Sequence, residues 1–365
     1  MVNNQEQILR RTALQGLAAL AEWGKFSEVL ANGNWDKVFA LLPENLSDEP
    51  ITPREEELLT FFEEIAEAIS EDLQYSNAFL QRVVVYLFNP ITKQGAKMYH
   101  VCHSLSLYIA SLHPANPIEL DYEAILERLL QFTKEDYMKE EEGVGIVLAI
   151  FMAMSMMFST GRLDEPKYLK IRKQVLGEFV AIIEAGWLPR QVLVALLAPG
   201  ITVSGDNEDL VETIFDCEKF MKLVHFRMTK KVDIDLSLSF LGCCKVCPKR
   251  GVEFFMKNNI MQSVILLLKS LQNENPELEE FDNILEALEI LLMQAESLVN
   301  GNETLYNPIA LQIEGKRGLK ILKELENSED HDASAVAKRI NCTYFGEGWE
   351  NYLARRRGLK TKRAK

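Results

Sequence analysis

The chain has 365 residues, 47% of them hydrophobic and 26% charged, with a formal net charge of −14. That length can bury a large core, in two domains or in one elongated body, and the composition is that of an ordinary folded protein rather than a disordered chain. The acidic balance disfavours a body that attracts nucleic acid by its field and favours one that draws in basic segments.

The first residues, MVNNQEQILRRTALQGL, place polar side chains before any apolar run, so no secretory signal is expected and the reading is cytoplasmic and/or nuclear. Residues 1–50 are read as N-terminal helices. From there nearly every segment has apolar residues at i, i+3, i+4 and i+7, the period of an amphipathic helix. The clearest runs, in chain order, are EEELLTFFEEIAEAISEDL, YEAILERLLQF, VLGEFVAIIEAG, MQSVILLLKSLQ and FDNILEALEILLMQAESL. VVVYLF (Val83 to Phe88) is rich in β-branched residues, but it continues the helical pattern of NAFLQR without a turn signal.

Between Glu142 and Arg162 the stretch GVGIVLAIFMAMSMMFSTG carries no charge. A membrane span needs roughly 20 predominantly apolar residues, which this stretch reaches only through its Gly, Ser and Thr ends. Its methionines (Met152, Met154, Met156, Met157) suit a helix buried on all sides, and no membrane contact is expected. Prolines and glycines punctuate the chain at short intervals. The pattern predicts an all-α protein, an armadillo/HEAT-like right-handed α-solenoid over residues 51–346.

Two phrases echo each other at repeat spacing. AGWLPRQVLVALLA (Ala185 to Ala198) and KNNIMQSVILLLKSL (Lys257 to Leu271) each run from a Gly or Asn into an amphipathic helix, with Leu188 and Ile260 in matching places, 72 residues apart. That is about two units of ~40 residues, the size of armadillo or HEAT repeats. The Gly or Asn is expected to end a helix in the left-handed region and turn the chain sharply.

Six cysteines are present, three of them in GCCKVCPK. Cys244 and Cys247 form a C-x-x-C pair, but no further ligand pair completes a zinc site and no βαβ pattern surrounds a redox pair. They are read as small packing residues. His100 and His103, in YHVCHSL, could share a helix face, but no carboxylate stands near them in sequence, so they are read as ordinary helix residues. There is no phosphate-binding Gly-rich motif, nucleophile elbow or H-E-x-x-H. No enzyme, cofactor or metal is expected.

The segment from Gly251 through NPIALQIEGKRGLKILKELENSEDHD to Gly348 resembles the C-terminal armadillo repeats of importin-α. The matching positions are Asn307-Pro308, Ile313-Glu314, Gly318-Leu319, Leu322, Leu325, the acidic turn Glu326 to Asp330, and the closing helix Ala333 to Tyr344 with Phe345-Gly346. The match covers roughly a quarter of the chain. The resemblance implies an armadillo fold and a groove that holds extended basic peptides. That family reads its cargo with Trp and Asn one helical turn apart. None of Trp23, Trp35, Trp187 and Trp349 begins W-x-x-x-N, and the corresponding places hold Ser239 and Cys243, then Leu285 and Glu289. The basic receptor-binding segment at the family's N-terminus is also missing here; only Arg10-Arg11 stands there.

The expected function is therefore a protein-binding armadillo scaffold, in its specific form a divergent nuclear-import adaptor, with transport receptors as further partners. Asp282, Leu285, Glu286 and Glu289 are expected on the inner face of the recognisable repeat, where carboxylates would meet a basic segment. The alternative is a structural helical-repeat subunit or assembly factor of a larger ribonucleoprotein or chaperone complex, with no transport role. Residues 347–365 are read as a disordered basic tail: Arg355, Arg356, Arg357, Lys360, Lys362, Arg363 and Lys365. Removing those seven charges from −14 leaves −21 for the rest. The tail is read as a localisation signal, a self-docking peptide or an RNA-contacting arm, the one place where nucleic acid contact is expected.

Overall fold

The computed structural model describes Phe39 and residues 42–66, 73–91, 94–110, 118–135, 143–160, 163, 165–230, 234–274, 278–299, 306–315, 318–327, 331–346 and 349. Among the described residues every regular element is helical, with no strand. The chain divides into two units, Met1–Val203 and Ser204–Lys365.

In the first unit α1 (Pro53–Glu64) starts as its sequence requires. Thr52 caps the helix and pairs reciprocally with Glu55, and Pro53 occupies the first turn, where no N–H is needed. α2 (Leu73–Leu87) absorbs most of VVVYLF as helix. α3 (Gly95–Ala110), α4 (Tyr122–Phe132, capped by Asp121), α5 (Gly143–Ser159) and α6 (Leu169–Ala185, led by a short 3-10 turn) complete the larger helices. α5 is the uncharged stretch, and it exposes nothing before Ser159. It packs most extensively against α3, where a Cβ on Gly95 would come within 2.9 Å of Ile146. No described helix is long and apolar enough to cross a membrane.

Residues 42–50 are an irregular segment with several bends, not the helix expected there. Their carbonyls are held by side chains from α2 and α3. Pro43 O accepts from Arg82 at 2.9 Å and from Tyr86, and Ser47 O accepts from Lys97 at 2.9 Å. Lys97 is fully buried, and its charge is met by Glu55 at 3.3 Å. Burial works to raise the Glu55 carboxyl's pKa, but hydrogen bonds from Thr52 and the Lys97 charge bring it below the ordinary value.

α6 ends at Gly186, whose φ of 65° is the left-handed cap expected there. Pro189 then caps α7 (Arg190–Ala195), followed by α8 (Leu197–Ser204). The second echo also holds, with one change. Asn259 at φ 50° is the left-handed residue, one position closer to Ile260 than Gly186 is to Leu188. Leu188 and Ile260 are both buried just after the turn.

The second unit runs in threes. α9 (Glu208–Asp216), α10 (Glu218–Lys230) and α11 (Ile234–Val246) are followed by α12 (Pro248–Asn258), α13 (Met261–Glu274) and α14 (Leu278–Val299). Then come α15 (Pro308–Gly315), α16 (Gly318–Leu325) and α17 (His331–Phe345). Each helix of the middle triplet packs on its counterpart in the last: α12 on α15, α13 on α16, α14 on α17. α14 also packs on α11. From α11 onward, helices three places apart in sequence are therefore neighbours in space.

The start of α15 shows how the sequence builds such a joint. Asn307 Oδ1 accepts from the N–H groups of Ile309 and Ala310 at 3.0 and 3.2 Å, with Pro308 as the first helical residue. Its Nδ2 donates to Leu292 O at 2.7 Å and to Glu296 at 3.1 Å, tying the new helix to α14. At the start of α16, Gly318 has no room for a side chain. A Cβ there would lie 2.5 Å from Ile265 and 3.0 Å from the Ile313 carbonyl oxygen.

Candidate functional site

α14 lies between α11 and α17 and also touches α12, α13 and α15, so its apolar arc is wide. Ile284, Leu285, Ala287, Leu288, Leu291, Leu292 and Ala295 are all fully buried. Among the residues left outside, Asp282, Glu286, Glu289, Ile290 and Met293 fall at the i, i+4, i+7 positions of one face.

Of the residues expected on the inner face, Glu286 is exposed, and Asp282 and Glu289 are half-buried on this stripe. Leu285 corrects the expectation. It is 0% exposed and packs inward, so it offers no surface to a ligand. The spacing of the family's Trp-Asn pair points to position 285, which here falls one residue inside the outward arc that begins at Glu286. Ser239 and Cys243 on α11 also make no groove. Ser239 Oγ donates to Asp235 O of its own helix at 2.8 Å, and Cys243 is buried.

The two glutamates have partners within the chain. Glu286 is paired with Lys245 of α11, and Glu289 takes a two-pronged contact from Arg339 of α17, at 3.0 Å from Nε and 2.9 Å from Nη2. The Arg339 side chain is 57% exposed and that of Lys245 27%. The stripe is thus a charge ladder crossing α11, α14 and α17. Exposed ion pairs of this kind contribute about 0.2–1 kcal/mol each. Both glutamates are thereby neutralised within the chain, by Lys245 and by Arg339.

Burial holds the thiols of the cysteine cluster in their protonated form. All three thiols are free and buried, and burial pushes Cys243 up to about 12, Cys247 up to about 11 and Cys244 well above the ordinary value. A Cβ on Gly251 would meet the Cys244 side chain at 2.9 Å, so small residues let α11 and α12 approach closely.

The two histidines of α3 do have a carboxylate beside them. Glu63, from the last turn of α1, places one oxygen 2.9 Å from His100 Nδ1 and the other 3.4 Å from His103 Nδ1, with Tyr99 stacked on the His103 ring. Nothing around YHVCHSL signals it, because the carboxylate arrives only when α1 packs on α3. The Glu63 contact raises the His103 pKa against the opposing effect of burial. Burial would raise Glu63 itself, but the two imidazoles bring it below its ordinary value. Among the described residues no group of three His, Cys, Asp or Glu side chains is arranged to hold a metal ion.

The basic residues Arg355, Arg356, Arg357, Lys360, Lys362, Arg363 and Lys365, together with Arg10-Arg11, Trp23 and Trp35, lie outside the described residues. No protein-family model matches the chain, and no curated protein matches it in sequence.

Proposed function

We propose that the chain is an armadillo-like protein-binding scaffold whose row of third helices, α11, α14 and α17, receives an extended basic segment of a partner protein. The observation that carries this reading is the triplet packing of the second unit. It sets these three helices side by side, with Glu286 exposed and Asp282 and Glu289 half-buried along α14. Carboxylates one turn apart along α14 match the spacing at which an extended chain presents alternate Lys or Arg side chains. In its specific form this is a diverged nuclear-import adaptor, without the Trp-Asn arrays and with side-chain carboxylates as the main contacts.

A second reading, a structural subunit or assembly factor of a larger complex, draws support from one observation. Met293 and Leu298, on the outer side of α14, are 61% and 51% exposed, an apolar end to an otherwise charged stripe. Capture on the immobilised full chain, with elution by rising salt, separates the two. The scaffold reading predicts that salt releases proteins bearing Lys/Arg-rich segments. Recovery of one salt-resistant complex without such segments would overturn it in favour of the second.

A further inference from the structure

The last turns of α14 leave two large apolar side chains in solvent, Met293 at 61% exposure and Leu298 at 51%. They flank the edge formed by Gln294 and Ser297, so the exposed arc spans roughly 140° of the helix. Glu296 stands on the same turns, half-buried. It accepts from Asn307 Nδ2 at 3.1 Å, and among the described residues no cation pairs with it.

α17 runs along α14 in the same direction. Arg339 meets Glu289, and further along Tyr344 O accepts from the Tyr306 hydroxyl, next to the Asn307 that bonds Leu292 and Glu296. Beyond α17, Trp349 is 3% exposed, its ring centre 4.9 Å from that of Tyr306 and 5.6 Å from that of Phe345. The chain therefore leaves Trp349 beside the end of α14 that carries Met293, Glu296 and Leu298.

The sequence that follows complements that end. Residues 350–357 read ENYLARRR. Tyr352 and Leu353 stand three and four places after the buried Trp349, the spacing of one helix face. Arg355, Arg356 and Arg357 come next, eight residues or fewer from Trp349, a reach of up to about 26 Å.

We propose that residues 352–357 of the chain itself dock on the last turns of α14, with Tyr352 and Leu353 covering Met293 and Leu298 and the arginines meeting Glu296. An attached segment meets this patch at high effective concentration, which a separate protein does not. The carboxylate without a cation supplies the charge that three arginines require. The docking uses none of Asp282, Glu286 and Glu289, so it stands or falls separately from the basic-segment reading. It closes the apolar end that the second reading of the function needs open.

The test is methionine oxidation of the full chain by dilute hydrogen peroxide, with sulfoxide at each methionine read by peptide mass spectrometry. Met256 on α12, 48% exposed, is the internal reference. In the parent Met293 is expected to oxidise severalfold more slowly than Met256. Tyr352→Ser combined with Leu353→Ser should bring it up to at least the Met256 rate. Arg355→Ser, Arg356→Ser and Arg357→Ser together should release part of the protection, as should added salt. An unchanged Met256 rate and helical circular-dichroism signal show that the variants stay folded. Oxidation of Met293 in the parent as fast as Met256, or protection indifferent to either set of substitutions, would overturn the proposal. Protection that instead rises with protein concentration would do the same and give the patch to a second copy.

Discussion

Replacing Asn307 by Ala removes a buried side chain, 1% exposed, that makes four hydrogen bonds. Loss of an N-cap acceptor costs about 1 kcal/mol. Loss of the donor to Glu296, a charge-assisted bond at a partly buried site, costs about 1.5 kcal/mol more. The expected total is about 2–3 kcal/mol, or a fall in Tm of roughly 5–10 °C for a unit of this size. Urea unfolding followed by circular dichroism measures it. Asn307→Asp is the companion variant. It keeps the acceptor that caps α15 but loses the donor and sets a second carboxylate against Glu296, so at neutral pH it should be no more stable than Ala. A loss below about 0.5 kcal/mol for Ala, or an Asp variant as stable as the parent, would refute the claim that Asn307 ties α15 to α14 through both ends of its amide.

The two glycines of the same region should behave oppositely. Gly318→Ala puts a methyl 2.5 Å from Ile265 and should cost about 1–3 kcal/mol, whereas Gly315→Ala meets nothing within 4 Å and should be neutral or stabilising by up to ~1 kcal/mol. Equal effects would remove the packing argument. In the first unit, Lys97→Ala should destabilise by about 1–3 kcal/mol, because it empties a fully buried place, leaves the Ser47 carbonyl without its donor and takes the cation from the partly exposed Glu55; a thermal scan within a degree of the parent would contradict this. His103, raised by Glu63, binds its proton more tightly folded than unfolded, so its contribution is full below the unfolded value and is lost as pH rises through the folded one. Glu63, lowered, contributes above its unfolded value and loses that as pH falls. The stability gap between the parent and Glu63→Gln should therefore be widest between these two ranges, near pH ~6, and shrink above pH ~8. NMR titration should find His103 shifted down by the same substitution, and a flat gap would sink the coupling.

Features written in local sequence were legible before the fold was known. Asn307-Pro308 announces a capped helix start, Gly186 and Asn259 announce left-handed ends, and the uncharged run of α5 announces a helix wrapped on all sides. What could not be read depends on neighbours. The amphipathic period of α14 gives a face, but the width of its buried arc follows from contact with helices on both flanks, which is why Leu285 is inside while Glu286 is out. Glu63 meets His100 only through the packing of α1 on α3, and residues 42–50 stay out of a helix because side chains of α2 and α3 hold their carbonyls. The ladder partners of Glu286 and Glu289 lie 41 and 50 residues away, beyond any local pattern.

The basic-segment face of α14 is tested most directly by fluorescence anisotropy of a labelled Lys/Arg-rich peptide titrated with the full chain at low salt. Binding should be saturable and weaken with added salt. It should fall about tenfold when Glu286→Gln and Glu289→Gln are combined, the scale of two exposed charge-assisted contacts. Affinity unchanged by that pair of substitutions, or no saturable binding at all, would contradict the reading of this face as the site where the protein takes its partner.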